Sequence, residues 1–150
     1  MKYLFYLLII ILITFPSTLY SQNCDEYHLK NCESISKNFR ISNQSRSALF
    51  KIGYSSSFSF LSMEGYQYII HLCSDDNIEG AQLSVSDMTS GEIFTDDIGG
   101  NFVIINVKKS AKLTVQVKVP EGNKEIEQYE YSELYGCVGV LIEYIRNKEP

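Results

Sequence analysis

The sequence predicts an all-β protein, an antiparallel β-sandwich of about eight strands. Three observations support this prediction. Apolar and polar residues alternate with period two in several segments, as in strands that bury one face. Turn residues separate these segments at intervals of about 8 to 12 residues. No long stretch carries the helical period, so a parallel α/β fold has no segments for its crossovers. The strand order, jelly-roll or immunoglobulin-like, stays open.

The first segment of the chain is typical of a secretory leader. Lys2 precedes an apolar run from Tyr3 to Ile13, and Pro16 then interrupts it. We expect residues 1–21 to be removed by cleavage after Ser21, with Gln22 as the alternative. A transmembrane anchor needs about 20 consecutive apolar residues, which Pro16 prevents. The processed protein is therefore expected to be secreted or periplasmic and to lack a membrane span.

All four cysteines follow this leader: Cys24, Cys32, Cys73 and Cys137. An even number of cysteines in an exported chain indicates disulfides. Four cysteines allow three pairings. Proximity in sequence favours Cys24 with Cys32, and predicted strand ends favour Cys73 with Cys137. A four-cysteine metal site is disfavoured because no CxxC pair is present.

Chain length and charge restrict the possible organisation and partners. The leader leaves about 129 residues, which is enough for one domain. We divide it into a disulfide-stapled N-terminal loop, residues 22–37, and a β-sandwich domain, residues 38–150. The net charge of the full chain is −5. Loss of Lys2 with the leader makes it −6. This acidic balance disfavours nucleic acids and anionic membrane surfaces as partners.

The strands are predicted in this order along the chain: Ala48 to Ile52, Phe58 to Phe60, Tyr66 to Cys73, Ala81 to Ser86, Glu92 to Thr95, Phe102 to Val107, Lys112 to Val119 and Val138 to Ile145. The alternation is clearest in the seventh segment, where Leu113, Val115 and Val117 share one face. The sixth and seventh segments together, Phe102 to Val119, are predicted to form a hairpin that turns near Lys108.

Residues 121–136 do not follow the strand pattern, and they form a predicted acidic loop rich in tyrosine. Tyr129, Tyr131 and Tyr135 lie there among glutamates. Exposed tyrosine provides a large contact area at low entropic cost and is enriched at interfaces. Long loops in compact domains are often functional. These three tyrosines are therefore the predicted partner-binding residues.

No constellation of catalytic residues is evident. The two histidines, His28 and His71, lie in the stapled loop and in a strand, and neither accompanies a known nucleophile motif. The set of nucleophile, base and oxyanion donor cannot be completed from this sequence. We therefore predict that the protein is not an enzyme.

One acidic stretch resembles the opening of a calcium loop. Asp75, Asn77 and Glu79 provide oxygen ligands before a glycine turn, but the twelfth position is Ser86 instead of the bidentate glutamate. In such an arrangement a second acidic turn at residues 96–97 would share the ion with it. We expect no cofactor, with calcium at Asp75, Asn77 and Glu79 as the alternative.

Half of the mature chain resembles the bacterial prepeptidase C-terminal domain, a β-sandwich found in many exported proteins. The resemblance lies in Phe58-Ser59-Phe60, Gly65-Tyr66-Gln67-Tyr68, Leu83-Ser84-Val85-Ser86-Asp87 with Gly91, and Leu113-Thr114-Val115-Gln116-Val117. It implies a non-catalytic module that contacts a protein or a glycan at the cell surface or outside the cell. We predict a secreted binding module, with a small exported hydrolase or a calcium-dependent glycan-binding protein as the alternative.

Overall fold

The computed structural model describes residues 23–78, 80–94, 101–122, 130 and 133–147. These residues form two antiparallel β-sheets that enclose one hydrophobic core, which confirms the predicted sandwich. The predicted leader, residues 1–21, lies outside the described residues. The elements are α1 (Tyr27–Asn31), β1 (Arg40–Ile41), β2 (Arg46–Lys51), β3 (Ser55–Ser62), β4 (Tyr66–Ser74), a 3₁₀ turn (Asp76–Ile78), β5 (Gln82–Asp87), β6 (Ile93–Phe94), β7 (Phe102–Asn106), β8 (Ala111–Lys118) and β9 (Tyr135–Arg146).

The first sheet has five strands and is organised around β9. One side of β9 pairs with β4, and the other side pairs with β1 and β2 in succession. β7 forms the far edge by pairing with β4. β9 is buried continuously from Gly136 to Glu143, because both of its faces are covered. This explains why its sequence reads as an apolar run without alternation.

The second sheet has four strands in the order β3-β8-β5-β6. The alternation predicted for β8 is confirmed, since Leu113, Val115 and Val117 are buried while Gln116 is exposed. The buried face of this sheet packs against inward residues of the first sheet, including Ile70 and Ile142. This shared interior is the core of the domain.

The predicted hairpin from Phe102 to Val119 is wrong. β7 pairs with β4 in the first sheet, whereas β8 pairs with β3 and β5 in the second. The Val107 N–H still donates to the Tyr66 carbonyl, so the chain leaves the first sheet only after that residue. Alternation identifies which face of a strand is buried but not which strand lies beside it. The two strands therefore belong to different sheets, and β7 faces β5 and β6 across the core.

The predicted disulfide pairing is also wrong, although all four cysteines are bonded. The structure pairs Cys24 with Cys137 and Cys32 with Cys73, each with a Cα–Cα distance of 5.3 Å. The five-residue helix α1 separates Cys24 from Cys32 and directs them to different strands, β9 and β4. The predicted stapled loop is thus fastened to the first sheet and not to itself.

The N-terminal segment, residues 23–39, forms a partial third layer on the outer face of the first sheet. A Cβ added at Gly139 of β9 would lie 2.8 Å from His28 Cα and 2.9 Å from Cys73 Sγ. Glycine is therefore needed there for the helix to approach the strand this closely. Beneath the same segment Glu143 is completely buried, with 0% exposure. Its carboxylate accepts hydrogen bonds from the Ser34 hydroxyl and the Ile35 N–H.

Candidate binding site

Two of the residues predicted as calcium ligands, Asp75 and Asn77, support the start of β9. Asp75 Oδ2 accepts a hydrogen bond of 2.7 Å from the Cys137 N–H, and Asn77 donates its amide to the Tyr135 carbonyl. Burial, together with a side-chain hydrogen bond to Asp75, raises the pKa of Tyr27 to about 12. Within the described ranges no three histidine, cysteine, aspartate or glutamate side chains are grouped to hold a metal ion. Glu79 and residues 96–97 lie outside those ranges, so calcium binding stays a prediction.

The predicted binding tyrosines fall mostly beyond the described residues. Tyr129 and Tyr131 are among the undescribed positions, so their role stays a prediction. Tyr135 is the first residue of β9 and is half-buried, with Lys51 as its neighbour on β2. Its place in a strand shortens the predicted loop by two residues, because Gly136 also belongs to β9.

The histidines help to dock the N-terminal segment. The Ser47 hydroxyl accepts a hydrogen bond of 2.8 Å from the His28 backbone N–H and shares another of 2.6 Å with His28 Nδ1. Burial lowers the pKa of His28, and Arg46 lowers it further against the opposing effect of Glu26. No carboxylate hydrogen-bonds to His28 among the described residues, so the orienting group of a catalytic triad is missing there.

His71 has a comparable structural contact. Its Nδ1 lies 3.1 Å from the carbonyl oxygen of Glu33 in the N-terminal segment. Neither histidine is therefore placed as a catalytic base by its contacts in the described part of the chain.

A cleft lined by tyrosines opens at one end of the sandwich, where β3 ends and β4 begins. We call it the tyrosine cleft, and its volume is about 460 Å³. Its lining comes from both sheets and contains no charged residue. The lining residues are Ile41, Ser42, Asn43, Gln44, Leu61, Met63, Tyr66, Tyr68 and Tyr144.

The aromatic rings of the cleft pack against one another and hold their positions. The Tyr66 and Tyr144 rings meet edge to face at a centroid distance of 5.9 Å. Tyr68 lies 6.0 Å from Tyr144 and 5.7 Å from Phe60 of the opposite sheet. The Tyr68 hydroxyl accepts a hydrogen bond of 3.1 Å from the Met63 N–H. Burial raises the pKa of Tyr68 above its usual value.

The opposite wall of the cleft is the turn between β1 and β2, which is fastened to β9. The Ser42 N–H donates to the Ile142 carbonyl at 2.8 Å, and the Ile142 N–H donates to Ser45 Oγ at 2.9 Å. From this turn Gln44 bridges to the second sheet. Its amide accepts from the Leu61 N–H at 3.1 Å and donates to the Leu61 carbonyl at 3.3 Å. The cleft therefore has two walls held by hydrogen bonds.

Three large apolar side chains at the cleft are exposed to solvent. Leu61 is 64% exposed, Met63 60% and Ile41 48%. Apolar side chains grouped on a rigid surface are characteristic of sites that bind another molecule. This site was not predicted from the sequence. The signal in the sequence was the pair Tyr66 and Tyr68 at inward positions of β4, together with Leu61 at an outward position of β3 and Met63 just after it.

These features define a class of protein: a small β-sandwich, stapled by two disulfides, with a tyrosine-lined cleft at one end. Disulfides of this kind are typical of a secreted or periplasmic protein. Among the described residues, no helix is long and apolar enough to cross a membrane.

Two solved structures are similar to this chain, and the first of them shares its fold. A PliG from Aeromonas hydrophila, a periplasmic inhibitor of g-type lysozyme, aligns with a TM-score of 0.50 and 11% identity over 75% of this chain and 93% of its own. The Salmonella Typhimurium PliG aligns with a TM-score of 0.42 and 15% identity over 67% of this chain and 89% of its own. No family model matches the sequence, and no curated protein does. The resemblance to the prepeptidase C-terminal domain therefore stays a prediction.

Proposed function

We propose that this protein is an exported, non-catalytic binding module whose partner is another protein, and that the tyrosine cleft is its contact surface. The observation that carries this proposal is the group formed by Ile41, Leu61 and Met63 around rigid aromatic rings. Aromatic residues and methionine are enriched at protein interfaces, and the few side chains that a partner buries at the centre of an interface supply most of the binding energy. The leader pattern and both disulfides support export.

We further propose g-type lysozyme as the partner class to test first. The Aeromonas hydrophila structure with the same fold is described as a periplasmic inhibitor of that enzyme. Inhibition requires binding without turnover, and the described residues of this chain present a cleft without an assembled catalytic set. An inhibitor role is therefore compatible with both the surface and the fold.

The test is an inhibition assay with the purified, oxidised protein. A g-type lysozyme is incubated with increasing amounts of it, and lysis of a bacterial cell-wall suspension is followed by turbidity. We expect lysis to fall with a saturable dependence on protein concentration. Undiminished lysis at a large molar excess of the protein would reject lysozyme as the partner.

A variant tests the surface itself. Leu61→Ser with Met63→Ser should weaken inhibition about tenfold or more, because both side chains are exposed and available as anchors. Ile93→Ser is the matched control, since Ile93 is also 64% exposed but lies on β6 at the opposite edge of the second sheet. Equal inhibition by both variants, with unchanged melting temperatures, would exclude the tyrosine cleft as the contact surface.

A further inference from the structure

The space between the two sheets is open along the side of the sandwich where β2 and β3 lie. Arg46 and Ala48 of β2 are exposed, although their register partners on β9, Val140 and Val138, belong to the buried core. On β3, Ser56 is exposed at an inward-facing position. The result is an apolar groove of about 210 Å³ between the two strands. We call it the β2–β3 groove.

β3 also has a free backbone edge beside this groove. Among the described strands β3 pairs only with β8, through one of its two edges. Leu61 directs its N–H and carbonyl away from β8, because both bond to the Gln44 side chain. Backbone direction alternates along an antiparallel strand, so Ser57 and Ser59 point to the same free edge. Gln44 thus pairs with Leu61 on the free edge of β3. The backbone groups of Ser59 and Ser57, the next two residues on that edge, have no partner among the described residues.

The charge at the groove is positive. Arg46 is the one charged residue among those that line it. The ion pair found among the described residues joins Lys30 to Glu26, so Arg46 has no carboxylate partner there. An occupant with a carboxylate would therefore complement this guanidinium, whereas a purely apolar occupant would leave it unmatched.

We propose that the β3 edge and the β2–β3 groove bind an extended segment of another polypeptide. The segment adds to β3 as a strand, places an apolar side chain over the groove and places a carboxylate against Arg46. A row of backbone donors and acceptors at strand spacing selects a peptide over a lipid or a small apolar molecule. A second copy of this chain fits less well, since Ser55–Ser62 contains no acidic residue to meet Arg46.

This inference rests on the proposed binding role, because Gln44 and β3 connect the groove to the tyrosine cleft. It adds the chemistry of the partner: an exposed, strand-forming segment with an acidic and an apolar residue two positions apart. The two proposals have separate measurements, a lysis assay for the cleft and peptide binding for the groove.

The probe is an eight-residue peptide, acetylated and amidated, that alternates threonine with valine and has glutamate in place of one valine. Binding to the oxidised protein is followed through its backbone amide resonances. We expect concentration-dependent shifts at Ser57 and Ser59. A control peptide with its four central amides methylated should bind about tenfold or more weakly, because it cannot pair with the edge. Equal binding by the two peptides, or no shift at millimolar peptide, would overturn the proposal.

Three variants separate the contributions. Ser59→Pro removes one outward N–H, which an edge strand tolerates, and should weaken binding. Ala48→Leu should fill the groove, raise the melting temperature and reduce binding. Arg46→Gln should weaken binding of the peptide that contains glutamate. It should leave binding of the same peptide with glutamine in place of glutamate unchanged. If Ser59→Pro does not fold, the other two still decide the question, and unchanged binding in both would reject the groove.

Protein concentration alone provides the remaining check. Shifts at Ser57 and Ser59 on dilution without peptide would show that a second copy of the chain occupies the edge, which overturns the proposal. Lysozyme inhibition with no peptide binding would overturn this inference while leaving the proposed function in place. Peptide binding without lysozyme inhibition would reject lysozyme as the partner while leaving this inference in place.

Discussion

The carboxylate of Glu143 is completely buried beneath the N-terminal segment. It lies on β9 between Ile41 and Ile69, with the Ser34 hydroxyl and the Ile35 N–H as its hydrogen-bond donors. No basic side chain forms an ion pair with it among the described residues. A buried carboxylate that has no cation beside it needs hydrogen bonds from neutral donors to offset the cost of its burial. Because those donors belong to the N-terminal segment, Glu143 links that segment to the first sheet.

Replacement of Glu143 tests this dependence. Glu143→Ala should lower the free energy of unfolding by about 2 to 4 kcal/mol, because it leaves the Ile35 N–H unpaired and opens a cavity. Glu143→Gln should cost less than about 1 kcal/mol, since its amide can still accept from Ile35 while the Ser34 hydroxyl turns to accept. Urea unfolding measures both, with the exposed Glu64→Ala as control. An alanine variant as stable as the native protein would contradict this account.

At the scale of elements, the N-terminal segment is held by two disulfides that differ in their sequence separation from Ile35. Cys32 lies three positions before Ile35 and is bonded to β4, whereas Cys24 lies eleven positions before it and is bonded to β9. α1 between the two cysteines is a single short helix with no buried residue. Such a helix is marginal without its attachments, so the bridges position the segment.

Amide hydrogen exchange at Ile35 distinguishes the two bridges. Cys32→Ala with Cys73→Ala should accelerate this exchange, because the chain next to Ile35 is released and its hydrogen bond to Glu143 opens locally. Cys24→Ala with Cys137→Ala should leave Ile35 protected, since the nearer bridge remains. The melting temperatures of both variants serve as the control for global unfolding. Similar acceleration in both would show that the segment detaches as one unit.

At the scale of the whole molecule, the fold class was predictable because strand alternation is a local property. β8 shows this, since its buried face follows directly from Leu113, Val115 and Val117. Strand partnership is not local. β7 and β8 are consecutive yet lie in different sheets, and β9 pairs with β1 and β2 across most of the chain. The prediction of the disulfide pairing was wrong for the same reason. The pairing depends on where α1 packs on the first sheet, which is not a local property of the sequence.

The candidate site was harder to predict than the fold. The tyrosine cleft combines the β1–β2 turn, the end of β3 and inward residues of β4 and β9. In sequence, Tyr66 and Tyr144 look like ordinary core residues of their strands, and they become a cleft wall only because the sandwich ends there. The predicted segment with Tyr129 and Tyr131 rests on composition and loop length, and both residues lie outside the described ranges.

The position of β9 has a consequence for folding. The last strand of the described chain is central in its sheet, so Arg40 must meet Tyr144 before β1 can pair. Closing such a long loop is slow, and the Cys24–Cys137 bridge, with a sequence separation of 113, closes it already in the unfolded chain. Cys24→Ala with Cys137→Ala should therefore refold about tenfold or more slowly than the oxidised protein, with little change in the unfolding rate. Stopped-flow refolding and unfolding in urea measure both rates. An unchanged refolding rate with faster unfolding would show that the bridge acts on native packing and not on the unfolded chain.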